Sequence, residues 1–314
     1  VTARRRLAAL LLAASTLAHA DGARPGPRAI WIWEGESYAL LEDGAAARTA
    51  IAFLKDKAIA TAYVYADAYE GRNPIATQPA RYRTLVRRMH AAGLKVQALL
   101  GSGYLHTERY LLPDYRRAAQ AMLQRVLDYN AAAAPEERFD GISLDIEPHI
   151  LDAWGSRKME LLGHFLDMSD ALMRQKNAVA PGLPMGPAIP FWYDGISIEW
   201  KGRRKPMNEH VQDVYDYVAL MDYRDHAEGG DGIVSHARDE LDYGTKIGKP
   251  VVIGVETMPN AIRKVSFHHL REGDMERELA QTARAVAGAP SFGGFAIHHY
   301  AAYRRWLGVD ERTD

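Results

Sequence analysis

The feature that most restricts this chain is an alternation: eight short apolar runs, separated by longer stretches of mostly helical spacing. The runs fall at Ala29–Trp33, Thr61–Ala66, Lys95–Leu100, Gly141–Ile146, Pro184–Pro190, Tyr217–Asp222, Pro250–Glu256 and Gly294–His299. Most are nearly continuous in branched and aromatic residues, as strands covered on both faces of a parallel sheet require. Between them, Ala45–Lys57, Arg81–Ala92, Asp114–Asn130, Lys158–Lys176, Ser235–Ile247 and Met275–Ala287 read as helices. The pattern predicts an α/β chain folded as a single (β/α)8 TIM barrel over residues 29–314, a parallel barrel ringed by helices. An open doubly wound sheet shares the alternation, but Trp31-Ile-Trp33-Glu34-Gly35-Glu36 lacks the glycine spacing of a nucleotide loop. The charged insertion Trp192–Met207, with Trp200, Arg203, Arg204 and Lys205, is expected to overhang the active face.

Composition removes several function classes. With 39 Lys+Arg against 40 Asp+Glu, the net charge of -1 lacks the basic excess that nucleic-acid binding needs. The absence of cysteine excludes disulfides, thiol catalysis and cysteine-bound metals. Arg4, Arg5 and Arg6 precede an apolar run, Leu7–Leu17, and the small-residue site Ala18-His19-Ala20. That order predicts a signal peptide over residues 1–20 and a flexible lead-in over 21–28. The expectation is export to the periplasm or beyond, with no membrane attachment after cleavage.

The chemistry concentrates in the fourth run, Phe139-Asp140-Gly-Ile-Ser143-Leu-Asp145-Ile-Glu147-Pro148-His149. Strand alternation sends Ile142, Leu144 and Ile146 one way and Ser143, Asp145 and Glu147 the other. Two carboxylates then share the barrel mouth, where crowding and desolvation raise proton affinity. Glu147, the outermost, is expected to keep its proton and to donate it to a leaving oxygen, as glycosidic cleavage requires. A rim salt bridge to nearby arginines is the structural alternative.

Asp140-Gly-Ile-Ser-Leu-Asp145-Ile-Glu147 resembles the D-x-x-D-x-D-x-E signature of the chitinase-like family 18 glycoside hydrolases, carried on the fourth strand of a (β/α)8 barrel. Met221-Asp222-Tyr223 resembles the sixth-strand M-x-Y element of that family. The resemblance implies Glu147 as acid/base, Asp145 orienting a substrate N-acetyl group, and Tyr223 hydrogen-bonding that group as its oxygen attacks the anomeric carbon. Ser143 stands in place of the middle Asp, Arg224-Asp225 follow Tyr223, and the eighth run has no tryptophan. The implied activity is hydrolysis of a polysaccharide or glycan of N-acetylhexosamine type, without a cofactor. Lectins on the same barrel make a non-catalytic carbohydrate binder the competing class.

Glu256, ending the seventh run, opens a second mechanism. Glu147-Pro148 and Glu256 resemble the acid and nucleophile of two-carboxylate retaining glycosidases, whose carboxyls lie about 5–5.5 Å apart. Sugar sites also need flat apolar platforms with polar edges. The substrate-binding candidates are Trp33, Glu34, Tyr65, Asp67, Tyr104, Asp140, Trp192, Asp222, Glu256, His298 and Tyr300. No metal is expected: adjacent His298 and His299 point to opposite faces of a strand, so at most one enters the pocket.

Overall fold

The computed structural model describes residues 26–309; the expected signal peptide and most of the lead-in lie outside the described residues. Eight parallel strands close into a barrel: β1 (Arg28–Ile32), β2 (Thr61–Tyr65), β3 (Lys95–Leu100), β4 (Gly141–Leu144), β5 (Met185–Pro190), β8 (Val218–Met221), β9 (Val251–Glu256) and β10 (Phe292–His298). The remaining two, β6 (Ser197–Trp200) and β7 (Arg203–Pro206), form a separate antiparallel hairpin. Neighbours around the barrel run β1-β10-β9-β8-β5-β4-β3-β2. The outer faces of the strands pack Ile30, Val64, Val96, Ile142, Leu220 and Ile253 against the surrounding helices.

Inward residues fill the barrel by pairing large with small. Trp31, Tyr63 and Tyr65 pack with Ala29, Leu99, Ala219 and Ala296 in one buried cluster. Trp31 and Tyr63 are register partners, with ring centroids 5.3 Å apart. Gly254 makes room for the Trp31 indole: a Cβ there would stand 3.3 Å from Cη2 of Trp31 and 2.7 Å from the Leu220 carbonyl. With its interior packed, the barrel leaves chemistry to its C-terminal rim.

The rim is built differently from expectation in three places. Strand β4 stops at Leu144, so Asp145 and Glu147 stand just beyond it. Strand β1 stops at Ile32, and Trp33 caps a helix that the sequence pattern did not reveal, Glu34–Glu42. The hairpin does not overhang the mouth. Trp200 donates to Asp167 and Lys201 pairs with Asp170, both on the outer helix Trp154–Val179.

Gly101, immediately after β3, has φ +90°, and a Cβ there would lie 2.2 Å from the Asp145 carbonyl oxygen. Gly101→Ala should therefore destabilise the fold by about 2 kcal/mol or more, read as a lowered urea midpoint. A midpoint within error of wild type would contradict this close approach.

Candidate active site

Asp145 is 8% exposed, close under the mouth. Burial, then the neighbouring charges of Glu147 and Glu34, hold its carboxyl well above the usual carboxylate range. The inner carboxyl of the pair, withdrawn from water, thus carries an upward push. Glu147 is half-buried, with φ -110° and ψ 103°, an extended backbone of the kind favoured before proline. Pro148 opens a short 3₁₀ turn, Pro148–Ile150, which turns His149 back so that its Nε2 lies 3.1 Å from Glu147 Oε2.

Tyr223 lies just past β8 and feels all three principal carboxylates. Burial first, then Glu256, Glu147 and Asp145, push its phenol well above its ordinary value, so it remains a neutral O–H donor. Its ring lies 5.7 Å from that of His298.

Glu256 and His298 are register partners on adjacent strands, so their side chains meet on the inner face. His298 Nδ1 lies 2.9 Å from Glu256 Oε2, and the Trp33 indole N–H donates to His298 Nε2 at 3.1 Å. An indole nitrogen only donates, so Nε2 accepts and Nδ1–H donates to Glu256. Glu256 Oε1 also accepts from the Thr257 and Met258 amides, both at 2.7 Å. Burial alone would raise this carboxyl, but His298 and the two amides override it and hold Glu256 below its ordinary value. His299 is buried at the start of the next helix, where burial pushes it down to about 4.

Glu34, buried in the first turn of the helix after β1, adds a fourth carboxylate; its Oε1 accepts no hydrogen bond. Trp192, past β5, packs edge-on against His149 at 5.3 Å and Trp154 at 5.9 Å. Tyr104 is 76% exposed on the turn after β3. That turn abuts the one carrying His149, since a Cβ on Gly103 would come within 2.9 Å of Ile150. Trp192 and Tyr104 thus remain available as platforms.

Five candidates do not reach the mouth. Tyr65 belongs to the barrel plug, its hydroxyl donating to the Ala68 carbonyl. Tyr300 is core, packed on Phe53 and accepting from Arg304. Asp67 accepts from Arg125 and Asn73, which ties the loop after β2 to the helix Arg116–Ala132. Asp140 precedes β4 and accepts from His90 and the Val96 amide at the N-terminal end, a strand length from the mouth. Asp222 faces outward beside Leu220 and meets His236 at 3.1 Å. Neither His149 nor Trp154 is among the sequence candidates for the sugar site; the proline between acid and imidazole is the available signal.

No family model and no curated protein matches the sequence. Among solved structures, the chain is similar to catalytic domain 2 of Ostrinia furnacalis Group II chitinase, with 12% identity and a TM-score of 0.52, over 90% of this chain and 93% of that one. It is similar to the GH18 chitinase of Cycas revoluta at 12% identity and 0.50, over 90% and 97%. A third likeness is to β-galactosidase from Marinomonas ef1, at 10% identity and 0.56, over 87% of this chain and 54% of that one. At these identities the likeness is one of fold, a closed (β/α)8 barrel like that of the chitinases.

Asp222 supplies a prediction of its own. Burial raises its carboxyl to about 6 despite the His236 contact, so the folded state binds this proton more tightly than the unfolded chain. Its contribution is full below pH ~4 and lost as pH rises through about 6, a difference on the order of 3 kcal/mol. Asp222→Asn should flatten that part of the stability curve, measured by urea unfolding between pH 4 and 7.5. An unchanged slope would assign it to other groups.

Proposed function

We propose that this chain hydrolyses a glycosidic bond in an N-acetylhexosamine-containing glycan, with Glu147 as general acid/base. The observation that carries the reading is the convergence of Asp145, Glu147 and Glu256 on the Tyr223 phenol at the C-terminal rim of a closed parallel barrel. Solved chitinases with this fold include complexes with a chitooligosaccharide and with (GlcNAc)3, which supports a carbohydrate of that kind.

In this mechanism the Tyr223 phenol donates a hydrogen bond to the acetamide carbonyl and the Asp145 carboxylate accepts one from the acetamide N–H. To do so Asp145 must surrender the proton that burial holds on it, and Glu147 is the adjacent acceptor. The acetamide oxygen then bonds to C1 as the C1–O bond breaks. The leaving oxygen keeps that electron pair and takes the Glu147 proton. Water, deprotonated by Glu147, later opens the cyclic intermediate. Positive charge develops on the sugar during both steps, and the ionised Glu256 supplies a stabilising field.

Glu147→Gln should lower kcat for chitooligosaccharide hydrolysis about 10²–10⁴-fold while leaving binding by calorimetry within a few-fold. Wild type that binds these sugars but cleaves none would support the lectin class instead.

The second reading, Glu256 as nucleophile, is favoured by its ionised state. Both its oxygens already accept hydrogen bonds, which weighs against nucleophilic attack. A 2-deoxy-2-fluoro glycoside, lacking the acetamide, separates the two. The substrate-assisted route predicts no covalent adduct by mass spectrometry, and an adduct on Glu256 would establish the second reading. Export, argued from residues 1–20, belongs to the same proposal and is tested by N-terminal sequencing of the mature protein.

A further inference from the structure

We propose that His149 is a positioning residue for Glu147, presenting an Nε2–H to the carboxylate that forms when Glu147 gives up its proton. The inference rests on the reading of Glu147 as acid and adds a group acting through it. Among the described residues, His149 is the one side chain within ion-pair distance of Glu147, at 3.1 Å. Its ring is held on two sides, by Trp192 at 5.3 Å and 81° and by Trp154 at 6.2 Å and 72°.

The hydrogen on this ring has a preferred place. Nδ1 is buried and has no hydrogen-bond partner. A hydrogen there would be a buried donor without an acceptor, whereas a hydrogen on Nε2 lies on the side of Glu147, whose Oε2 is 3.1 Å from that nitrogen. Of the two neutral tautomers, the Nε2–H form is thus the favoured one.

This donor acts where charge appears. As the C1–O bond breaks, its electron pair and the Glu147 proton go to the leaving oxygen, and Glu147 is left negative. A donor nitrogen 3.1 Å from Oε2 needs only a small turn of the ring to stabilise that charge. Its benefit depends on proton donation, so it should vanish for a leaving group that departs as a stable anion. A residue that merely packs the rim would affect both kinds of substrate alike.

The experiment compares wild type, His149→Phe, which fills the space without a donor, and His149→Gln, which restores an N–H at similar reach. Each is assayed on tri-N-acetylchitotriose and on a 2,4-dinitrophenyl N-acetylglucosaminide. His149→Phe should lose about 10- to 100-fold in kcat on the trisaccharide, with KM unchanged, and less than about threefold on the dinitrophenyl substrate. His149→Gln should recover most of the loss. Equal losses on the two substrates would overturn the proposal while leaving the glycosidase reading intact. Wild type inactive on both substrates would instead overturn the glycosidase reading, and this inference with it. Nitrogen-15 NMR of the neutral imidazole tests the premise without substrate: the Nε2–H tautomer is expected, and the Nδ1–H tautomer would overturn it.

Discussion

Like-charge crowding at the barrel mouth is the constraint on which the site depends. Glu34, Asp145, Glu147 and Glu256 gather at strand ends, where low solvent access makes mutual repulsion costly. The structure relieves it in two ways. Asp145 gives up its charge by keeping a proton, and Glu256 keeps its charge because an imidazole and two amides surround it. One bowl thus holds a proton-bearing side and an anionic side, with a neutral phenol between them. The first side suits proton donation and the second suits a sugar acquiring positive charge.

The scaffold keeps these groups in place through close backbone approaches and outward-facing acids. Gly101 allows β3 to pass against the Asp145 carbonyl, and Gly254 lets the Trp31 indole plug the barrel below Glu256. Asp67, Asp140 and Asp222 are of the same type as the site acids but do different work. Each accepts from a cationic or imidazole side chain, tying a strand end or loop to its surroundings. What separates the two groups is which end of a strand they occupy and which face they share.

Much of this was legible in the sequence. Branched and aromatic runs alternating with helical spacing gave the barrel, and parity along residues 142–147 gave two carboxylates on one face. Parity also places Asp222 on the same face as Leu220, and Asp140 on the same face as Ile142, both outward. The likeness to chitinases among solved structures is to their barrel, the fold that the two strand motifs implied.

The sequence by itself determined the order of elements, the direction of each strand side chain, and the nearness of Asp145 to Glu147. Those follow from local periods of two and 3.6 residues, which need no knowledge of neighbouring strands. Only the tertiary structure decided that Tyr65 and Tyr300 are packing while Trp192 and Tyr104 line the rim. It likewise decided that burial raises Asp145, and that Trp33, His298 and Glu256 form one hydrogen-bonded chain. Those outcomes depend on depth within the barrel and on register between strands far apart in sequence, and a local period encodes neither.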